Sequence, residues 1–157
     1  MRKNRLYLAC SWFTAKQKEL MDKGYALLKE NPTVDWENSY RPLDHQYQGI
    51  NIDDHPEMLA SKEWEIATYN NDLLGLRRAD VCIFLYSDDV EDPGQGFELG
   101  YAKALGKQCV FILRDKKPTK PINLMLAVSP DRIITVDELK DFDFNNIEFD
   151  YYEGKVY

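Results

Sequence analysis

The chain has 157 residues, and its 20 Lys and Arg against 27 Asp and Glu give a formal net charge of −7. This length is typical of one domain, which we place at residues 1–157, and the acidity argues against a nucleic-acid backbone or an anionic membrane surface as partner. Since no apolar run approaches the roughly 18 residues of a membrane span, we expect a cytoplasmic protein.

The N-terminal residues predict a strand, a helix and a weaker second strand. The apolar run Arg5–Cys10 is the first strand, and Thr14 with Gln17 has the spacing of a capping box, which begins a helix. Asn31-Pro32 ends that helix, because a residue that precedes proline is disfavoured in the helical conformation. The second strand is Val34–Tyr40.

A long polar segment, Arg41–Pro56, separates the second strand from a second helix. Loops of this length are often functional. From Glu57 to Arg78, apolar residues recur at helical spacing, which predicts an amphipathic helix with one buried stripe. That stripe comprises Leu59, Ile66, Tyr69, Leu73 and Leu76.

Three apolar runs follow in the C-terminal half: Val81–Tyr86, Cys109–Leu113 and the shorter Ile133–Val136. Continuous runs of this kind are typical of parallel strands that helices cover on both faces. A helix over Phe97–Leu105 lies between the first two runs. The sequence therefore predicts the α/β class, as a flavodoxin-like doubly wound five-stranded parallel sheet with helices on both faces.

Ligands of such sheets bind beyond the carboxyl ends of the strands, where the loop Ser87–Gln95 follows a buried strand. This loop carries four acids, which repel phosphate and so favour a nucleoside over a nucleotide. Gly94, Gly96 and Gly100 approximate the glycine pattern of a dinucleotide site, although the last glycine comes one residue late. A dinucleotide site is thus a minor alternative.

Two carboxylates are candidates for chemistry near this crevice. We place Glu98 in the first turn of its helix, where the positive end of the helix dipole favours an ionised, nucleophilic carboxylate. Its alternative role is helix capping. Asp72 borders the buried stripe of the second helix and so can face a cleft, and its alternative is an acid that is solvated or bonded to Asn71.

The cysteines and histidines give no sign of a metal centre. Cys10, Cys82 and Cys109 each lie in an apolar run, and we expect three buried free thiols instead of a disulfide. His45 and His55 have no metal-ligand spacing to other side chains. We therefore expect no metal and no other cofactor.

Six fragments of the chain, in this order, resemble the nucleoside 2-deoxyribosyltransferases. They are Trp12-Phe13-Thr14, Pro42-Leu43-Asp44 with Gln46, Tyr69-Asn70-Asn71-Asp72, Asp92-Pro93-Gly94 with Gly96–Ala102, Lys120–Met125 and Tyr152–Tyr157. The resemblance runs from end to end of the chain. It implies a glycosyltransferase of nucleoside salvage that moves 2-deoxyribose between purine and/or pyrimidine bases by a ping-pong route, through a covalent deoxyribosyl-glutamate. Its partners are then 2′-deoxynucleosides and free nucleobases.

The resemblance also implies catalytic roles. Glu98 is then the nucleophile, and Asp72 donates a proton to the departing base. Tyr7 positions the nucleophile, and the terminal carboxylate of Tyr157 hydrogen-bonds Tyr7. The alternative for the aromatic C-terminal residues is packing for stability and oligomer contacts alone.

Substrate contacts are implied for Trp12, Phe13, Gln46, Asp92, Asn123 and Met125. The two aromatic residues form walls of the base pocket, the glutamine meets the base edge, and the aspartate and asparagine hold the sugar hydroxyls. The asparagine and the methionine reach the site of a neighbouring chain in a homohexamer. The segment Ala9-Cys10-Ser11 stands where many members have a glycine-containing turn, which leaves the base preference open.

Two other functions are open to a sheet of this kind. A 2′-deoxynucleoside 5′-phosphate N-glycoside hydrolase shares the nucleophile but transfers the sugar to water, and it requires a phosphate site. No arginine or serine cluster in the sequence adjoins Asp88–Asp92 to form one. A non-catalytic flavin-binding module requires a Ser/Thr/Gly-rich loop after the first strand, where Trp12-Phe13 stands instead.

Overall fold

The structure, a computed structural model, describes residues 2–157. Within this range the strands are β1 (Leu6–Cys10), β2 (Val81–Tyr86), β3 (Gln108–Leu113) and β4 (Arg132–Thr135). The α-helices are α1 (Ala15–Glu30), α2 (Lys62–Arg78), α3 (Pro93–Ala104) and α4 (Leu124–Val128). Short 3-10 helices cover Pro42–His45, Tyr47–Gly49, Pro56–Ala60 and Val136–Glu138. The strands are parallel and lie in the order β1-β2-β3-β4.

The sheet has a hydrophobic core on each face, because successive residues of a strand point to opposite sides. Leu6 and Leu8 of β1 pack with α1 on one face, whereas Tyr7 and Ala9 pack with α2 and α3 on the other. Every residue of β1 and β2 is buried. The predicted α/β class, with a parallel sheet covered by helices on both faces, is therefore confirmed.

The predicted count of five strands is wrong, since the described residues form a sheet of four. Residues 34–40, which we call the edge segment, lie beside β1 but form only isolated parallel bridges at their two ends, from Val34 to Asn4, which precedes β1, and from Tyr40 to Tyr7. Between these bridges the N–H of Leu6 donates to the Ser39 hydroxyl instead of a backbone carbonyl. A serine side chain thus replaces a backbone acceptor and interrupts the strand.

Both ends of α1 lie where the sequence predicts them. Thr14 Oγ1 accepts from the Gln17 N–H, and Gln17 Oε1 accepts from the Thr14 N–H, so the predicted capping box is formed. Asn31 is the C-terminal cap, directly before Pro32. The first helix is therefore confirmed.

The second helix begins later than predicted, and only the C-terminal part of its predicted stripe is buried. Ser61 caps α2, because a 3-10 turn at Pro56–Ala60 takes up the first residues of the predicted helix. Only the α2 side chains from Leu73 onward belong to the hydrophobic core that contains Tyr7 and Ala9 of β1. Three residues of the predicted stripe are therefore half or more exposed: Leu59 (61%), Ile66 (60%) and Tyr69 (50%).

The third helix begins earlier than predicted. Pro93 is its first residue and Asp92 its N-cap, an arrangement that suits proline because the first helical N–H has no partner within the helix. Glu98 therefore lies in the second turn of α3, and its predicted place in the first turn is wrong. The glycines of the supposed dinucleotide pattern lie inside this helix and form no turn after β2, so that alternative is wrong as well.

The three cysteines are buried free thiols, as predicted. No helix within residues 2–157 combines the length and the apolarity needed to cross a membrane. In the same part of the chain, no group of three or more His, Cys, Asp or Glu side chains is arranged to hold a metal ion.

Candidate active site

The candidate site lies beyond the carboxyl ends of β1 and β2, where the chain leaves the two neighbouring strands towards opposite faces of the sheet. The buried Gln95 of α3 joins these strand ends, since its side-chain amide donates to the Ala9 and Leu85 carbonyls at 3.4 and 3.0 Å. The loops that follow the two strands are thereby held side by side.

Tyr7 and Glu98 make the contact between β1 and α3 in this site. Tyr7 is buried, and its hydroxyl donates to Glu98 Oε1 at 2.6 Å. Burial raises the pKa of Glu98 from 4.5 to about 8; the Tyr7 hydrogen bond opposes this shift, and the charges of Asp72 and Asp92 add to it. The prediction that the helix dipole keeps this carboxylate ionised is therefore wrong, because the dipole acts within the first turn.

Asp72 of α2 is held by the last residue of the edge segment. The Tyr40 hydroxyl donates to Asp72 Oδ1 at 2.9 Å, and burial raises the pKa of Asp72 to about 6 in spite of this bond. The Asn71 amide donates to the His45 carbonyl, so the predicted alternative of a bond between Asn71 and Asp72 is wrong. The rings of Tyr7 and Tyr40 stack with centroids 5.4 Å apart and 5° between their planes. Each carboxylate is thus bonded to one member of a stacked tyrosine pair.

The acidic loop (Ser87–Asp92) meets the loop that follows β1 through hydroxyl–carboxylate bonds. Asp92 Oδ1 accepts a backbone N–H of α3 at 2.8 Å, and its Oδ2 accepts the Ser11 hydroxyl at 2.7 Å. Asp89 likewise accepts the Thr14 hydroxyl at 2.6 Å. The hydroxyl groups beside this loop therefore donate to its carboxylates.

Trp12 and Phe13 follow β1 and have different surroundings. The Phe13 side chain is 68% exposed, whereas Trp12 packs against the core on the α1 face. The buried Gln17 holds both loops: its Oε1 accepts the Phe13 and Thr14 N–H groups, and its Nε2 donates to the Val90 carbonyl. One side chain therefore joins this aromatic segment to the acidic loop.

Gln46 is buried beside the edge segment. Its Oε1 accepts the Ile52 N–H at 2.8 Å and so closes the loop between them. With Tyr40 and Asn71, it lines a cavity of about 640 Å³. Gln46 therefore lies beside Tyr40, the residue that holds Asp72.

Asn123 and Met125 lie at the start of α4. Asn123 caps this helix, because its Oδ1 accepts the Met125 N–H at 2.9 Å. The Met125 side chain is 70% exposed. Neither residue hydrogen-bonds to Glu98 or Asp72 within residues 2–157.

Tyr157 also lies near α4 and the acidic loop. Its phenol donates to Glu91 Oε2 at 2.6 Å, and its main-chain oxygen accepts the Leu124 N–H at 3.0 Å. Among the described residues, no hydrogen bond joins Tyr157 to Tyr7. The predicted bond between these two residues is therefore not formed within this chain.

The structure thus brings Tyr7, Asp72, Asp92 and Glu98 to one end of the sheet, together with one residue that the sequence analysis missed. That residue is Tyr40. Tyr40 could have been suspected from its place at the end of a predicted strand, since ligands bind at the strand ends of this fold. For Gln17 the sequence indicated only helix capping. Its bond to the acidic loop could not be predicted, because Val90 is 73 residues away in the chain.

Comparisons with known proteins agree on one family. A family model described as Nucleoside 2-deoxyribosyltransferase matches residues 6–126. A nucleoside deoxyribosyltransferase of Lactobacillus leichmannii is 48% identical over 157 residues, which are 100% of both chains. One from Lactobacillus johnsonii is 44% identical over 146 residues, 93% of this chain and 98% of the relative. A solved 2-deoxyribosyltransferase of Bacillus psychrosaccharolyticus has a similar fold, with a TM-score of 0.77 at 23% identity over 94% of this chain and 98% of that chain.

Proposed function

This chain belongs to the nucleoside 2-deoxyribosyltransferase family, and we propose that it moves 2-deoxyribose between nucleobases by a ping-pong route through a deoxyribosyl ester of Glu98. Its substrates are 2′-deoxynucleosides and free purine and/or pyrimidine bases, and its role is cytoplasmic nucleoside salvage. The observation that carries the proposal is the pair of carboxylates, Glu98 and Asp72, each bonded to one ring of the stacked tyrosines.

Glu98 is suited to act as the nucleophile. The Tyr7 hydroxyl occupies Oε1, and Oε2 has no hydrogen-bond partner among the described residues, so it is available to the anomeric carbon C1′ of a substrate. As the bond from C1′ to the base breaks, positive charge develops on the sugar. A carboxylate at this position stabilises that charge and then forms the ester.

Asp72 completes the reaction as the donor and acceptor of one proton. In the first half, Glu98 Oε2 bonds to C1′ while the C1′–N bond breaks, its electron pair leaves with the base, and the Asp72 proton neutralises that base. In the second half, a nitrogen of the acceptor base attacks C1′ and the ester oxygen leaves as the Glu98 carboxylate. The N–H proton of the acceptor returns to Asp72, so the proposed cycle uses neither a cofactor nor a metal.

The acidic loop supports a nucleoside as substrate in preference to a nucleotide. The hydroxyl groups of Ser11 and Thr14 donate to Asp92 and Asp89, so neither is free to bind a 5′-phosphate. A phosphate placed there would be repelled by the carboxylates. A sugar hydroxyl, in contrast, can donate to Asp92. This arrangement favours transfer between nucleosides over hydrolysis of 2′-deoxynucleoside 5′-phosphates.

The proposal includes assembly of the chain into a homo-oligomer, which the family resemblance makes a hexamer. Leu124, Met125 and Val128 of α4 are 50%, 70% and 65% exposed, directly after Asn123. Contiguous apolar side chains on the surface of one chain are typical of an interface. A neighbouring copy then receives Asn123 and Met125 at its own site.

Base exchange tests this function. Purified protein is incubated with 2′-deoxyinosine and cytosine, and the formation of deoxycytidine is followed by chromatography with and without a chelator. A second reaction with adenine as acceptor covers an enzyme restricted to purines. We expect equal exchange with and without chelator, and none in Glu98→Ala, because that variant cannot form the ester.

Two outcomes contradict the proposal. Release of free deoxyribose at a rate independent of the acceptor base favours the hydrolase. Exchange by Glu98→Ala at the wild-type rate rules out Glu98 as the nucleophile.

A further inference from the structure

Tyr40 connects the two halves of the candidate site. Its hydroxyl donates to Asp72 Oδ1 at 2.9 Å, and its ring stacks on Tyr7, the residue that donates to Glu98. Tyr40 therefore hydrogen-bonds Asp72 directly and contacts Tyr7, which hydrogen-bonds Glu98.

The ring of Tyr40 is closely packed. It stacks on His45 as well as on Tyr7, with a centroid distance of 4.6 Å to His45. From α2, Gly75 approaches so closely that a Cβ there would lie 2.5–2.8 Å from three ring atoms of Tyr40. The Tyr40 backbone is also fixed, since its N–H donates to the Leu6 carbonyl at 2.7 Å. This packing leaves the hydroxyl little freedom to leave Asp72.

We propose that Tyr40 is a positioning residue for the transfer reaction, which holds Asp72 at the departing base and keeps it in register with Glu98 through the stack on Tyr7. The inference rests on the proposed function, because it takes Asp72 to be the proton donor. Tyr40 acts on Asp72 through its hydroxyl and on Tyr7 through its ring.

Tyr40 does not supply the proton itself. Burial, together with the charge of Asp72, raises the pKa of its phenol far above neutral pH, so it stays protonated and donates to Asp72. The same bond favours the charged form of Asp72 and opposes its protonation. Loss of the hydroxyl therefore has two opposite effects: Asp72 keeps its proton to a higher pH, and it loses its fixed position.

The variant Tyr40→Phe separates these effects, because it keeps the ring and removes the hydroxyl. We expect kcat to fall about tenfold or more with donors whose base must be protonated to leave, although Asp72 is then more readily protonated. With donors whose base leaves more easily, we expect little change. The matched donors are thymidine and 5-fluoro-2′-deoxyuridine for pyrimidines, or 2′-deoxyinosine and its N7-methyl form for purines. A fall in kcat that is confined to donors whose base must be protonated shows that Asp72 has lost its fixed position.

Tyr25→Phe is the matched control. The Tyr25 hydroxyl contacts Cys10 Sγ at 3.2 Å and its ring packs against Trp36, on the opposite face of the sheet from Tyr40. We expect this control to lose some stability without discriminating between donors. Full activity of Tyr40→Phe with every donor, or an equal fall for both donors that follows a lower melting temperature, would overturn the positioning role.

A titration of Asp72 in substrate-free protein gives a second readout that does not depend on exchange. The titratable groups around Asp72 are Tyr40, His45, Tyr7 and Glu98. With 13C-labelled carboxyl groups, and Asp72→Asn to assign the signal, we expect the Asp72 pKa to rise in Tyr40→Phe. An unchanged Asp72 pKa would overturn the inference. A raised pKa in a protein that shows no exchange would support the hydrogen bond and count against the proposed function alone.

Discussion

Glu98 is a residue whose proposed role, as an ionised nucleophile, opposes the stability of the fold. Burial raises its pKa from 4.5 to about 8 in the folded chain, so the folded state binds this proton more tightly than the unfolded state does. The contribution to stability is therefore fully present below about pH 4.5 and is lost as the pH rises to about 8. Above that pH, the folded chain must hold a buried charge.

We predict that Glu98→Gln stabilises the fold at high pH. Glutamine keeps an oxygen for the Tyr7 hydroxyl and carries no charge. Melting temperatures at pH 5 should differ little between variant and wild type, whereas at pH 9 the variant should melt several degrees higher. Each pKa unit corresponds to about 1.4 kcal/mol, and each kcal/mol to roughly 2–4 °C in a chain of this size. An equal gain at both pH values would show that the buried charge is not the cause.

Asp72 and Glu98 together hold a single proton between about pH 6 and pH 8, and it lies mainly on Glu98, whose pKa is the higher of the two. The proposed chemistry needs that proton on Asp72 and a charge on Glu98. The productive form is therefore a minority of the empty enzyme, and contacts with the bound substrate must favour it.

We predict a bell-shaped pH profile of kcat/KM, with limbs near pH 6 and pH 8. Asp72→Asn should lose the high-pH limb, because no donor remains to be deprotonated, and its rise should move from about pH 6 towards pH 8, where Glu98 ionises. Its maximal rate should fall about 10²–10⁴-fold, and less with acidic leaving bases. A high-pH limb that persists in Asp72→Asn would assign proton donation to another group.

Four of the residues now found together could be named from the sequence through the family resemblance: Tyr7, Asp72, Asp92 and Glu98. Tyr40 could not, because its partner Asp72 lies 32 residues further along the chain and nothing local marks the bond. The charge state of Glu98 was also beyond the sequence. Its position in a helix suggested an ionised group, whereas burial, which depends on the whole site, raises its pKa.

At the scale of secondary-structure elements, helix ends that carry a local cap could be predicted from the sequence. Thr14 and Gln17 mark the start of α1 and form the capping box found there. The edge segment was not predictable, because whether it continues as a strand depends on the Ser39 hydroxyl meeting the Leu6 N–H, 33 residues away in sequence. Short-range patterns therefore predicted α1 well and the fifth strand wrongly.

We predict opposite effects for alanine at two helical glycines, each substitution adding about 1 kcal/mol of helix propensity. At Gly100 of α3 the new methyl group meets no atom within 4 Å, so the melting temperature should rise and exchange should be unchanged. At Gly75 of α2 the methyl group lies 2.5–2.8 Å from ring atoms of Tyr40 and must displace them. Exchange by Gly75→Ala should then fall about tenfold or more without a gain in melting temperature. Wild-type turnover in Gly75→Ala would show that the position of the Tyr40 ring is not critical.

At the scale of the whole molecule, apolar surface gathers on the face of the sheet that carries α2, α3 and α4. Its side chains are about half or more exposed: Ile66, Tyr69, Phe97, Leu124, Met125 and Val128. The Tyr69 and Phe97 rings lie 6.0 Å apart, so this surface is continuous between α2 and α3. Apolar residues at helical spacing are therefore of two kinds, those that cover the sheet and those that stay exposed on the surface of the chain. A single sequence does not distinguish the two kinds. The predicted stripe of α2 therefore includes exposed residues as well as buried ones.

The proposed assembly predicts that a charge on this surface will separate the copies and reduce exchange. Val128 is 65% exposed at the end of α4, so Val128→Glu should cost a single chain little stability. In an interface the same carboxylate is buried without a partner, which costs several kcal/mol. We expect a lower mass by light scattering, together with a loss of exchange because Asn123 and Met125 then reach no neighbouring site. Ala26→Glu, at an exposed residue of α1 on the opposite face of the sheet, is the matched control and should change neither mass nor exchange. A Val128→Glu protein with unchanged mass would show that α4 is not in the interface, and a smaller assembly with full exchange would show that each chain carries a complete site.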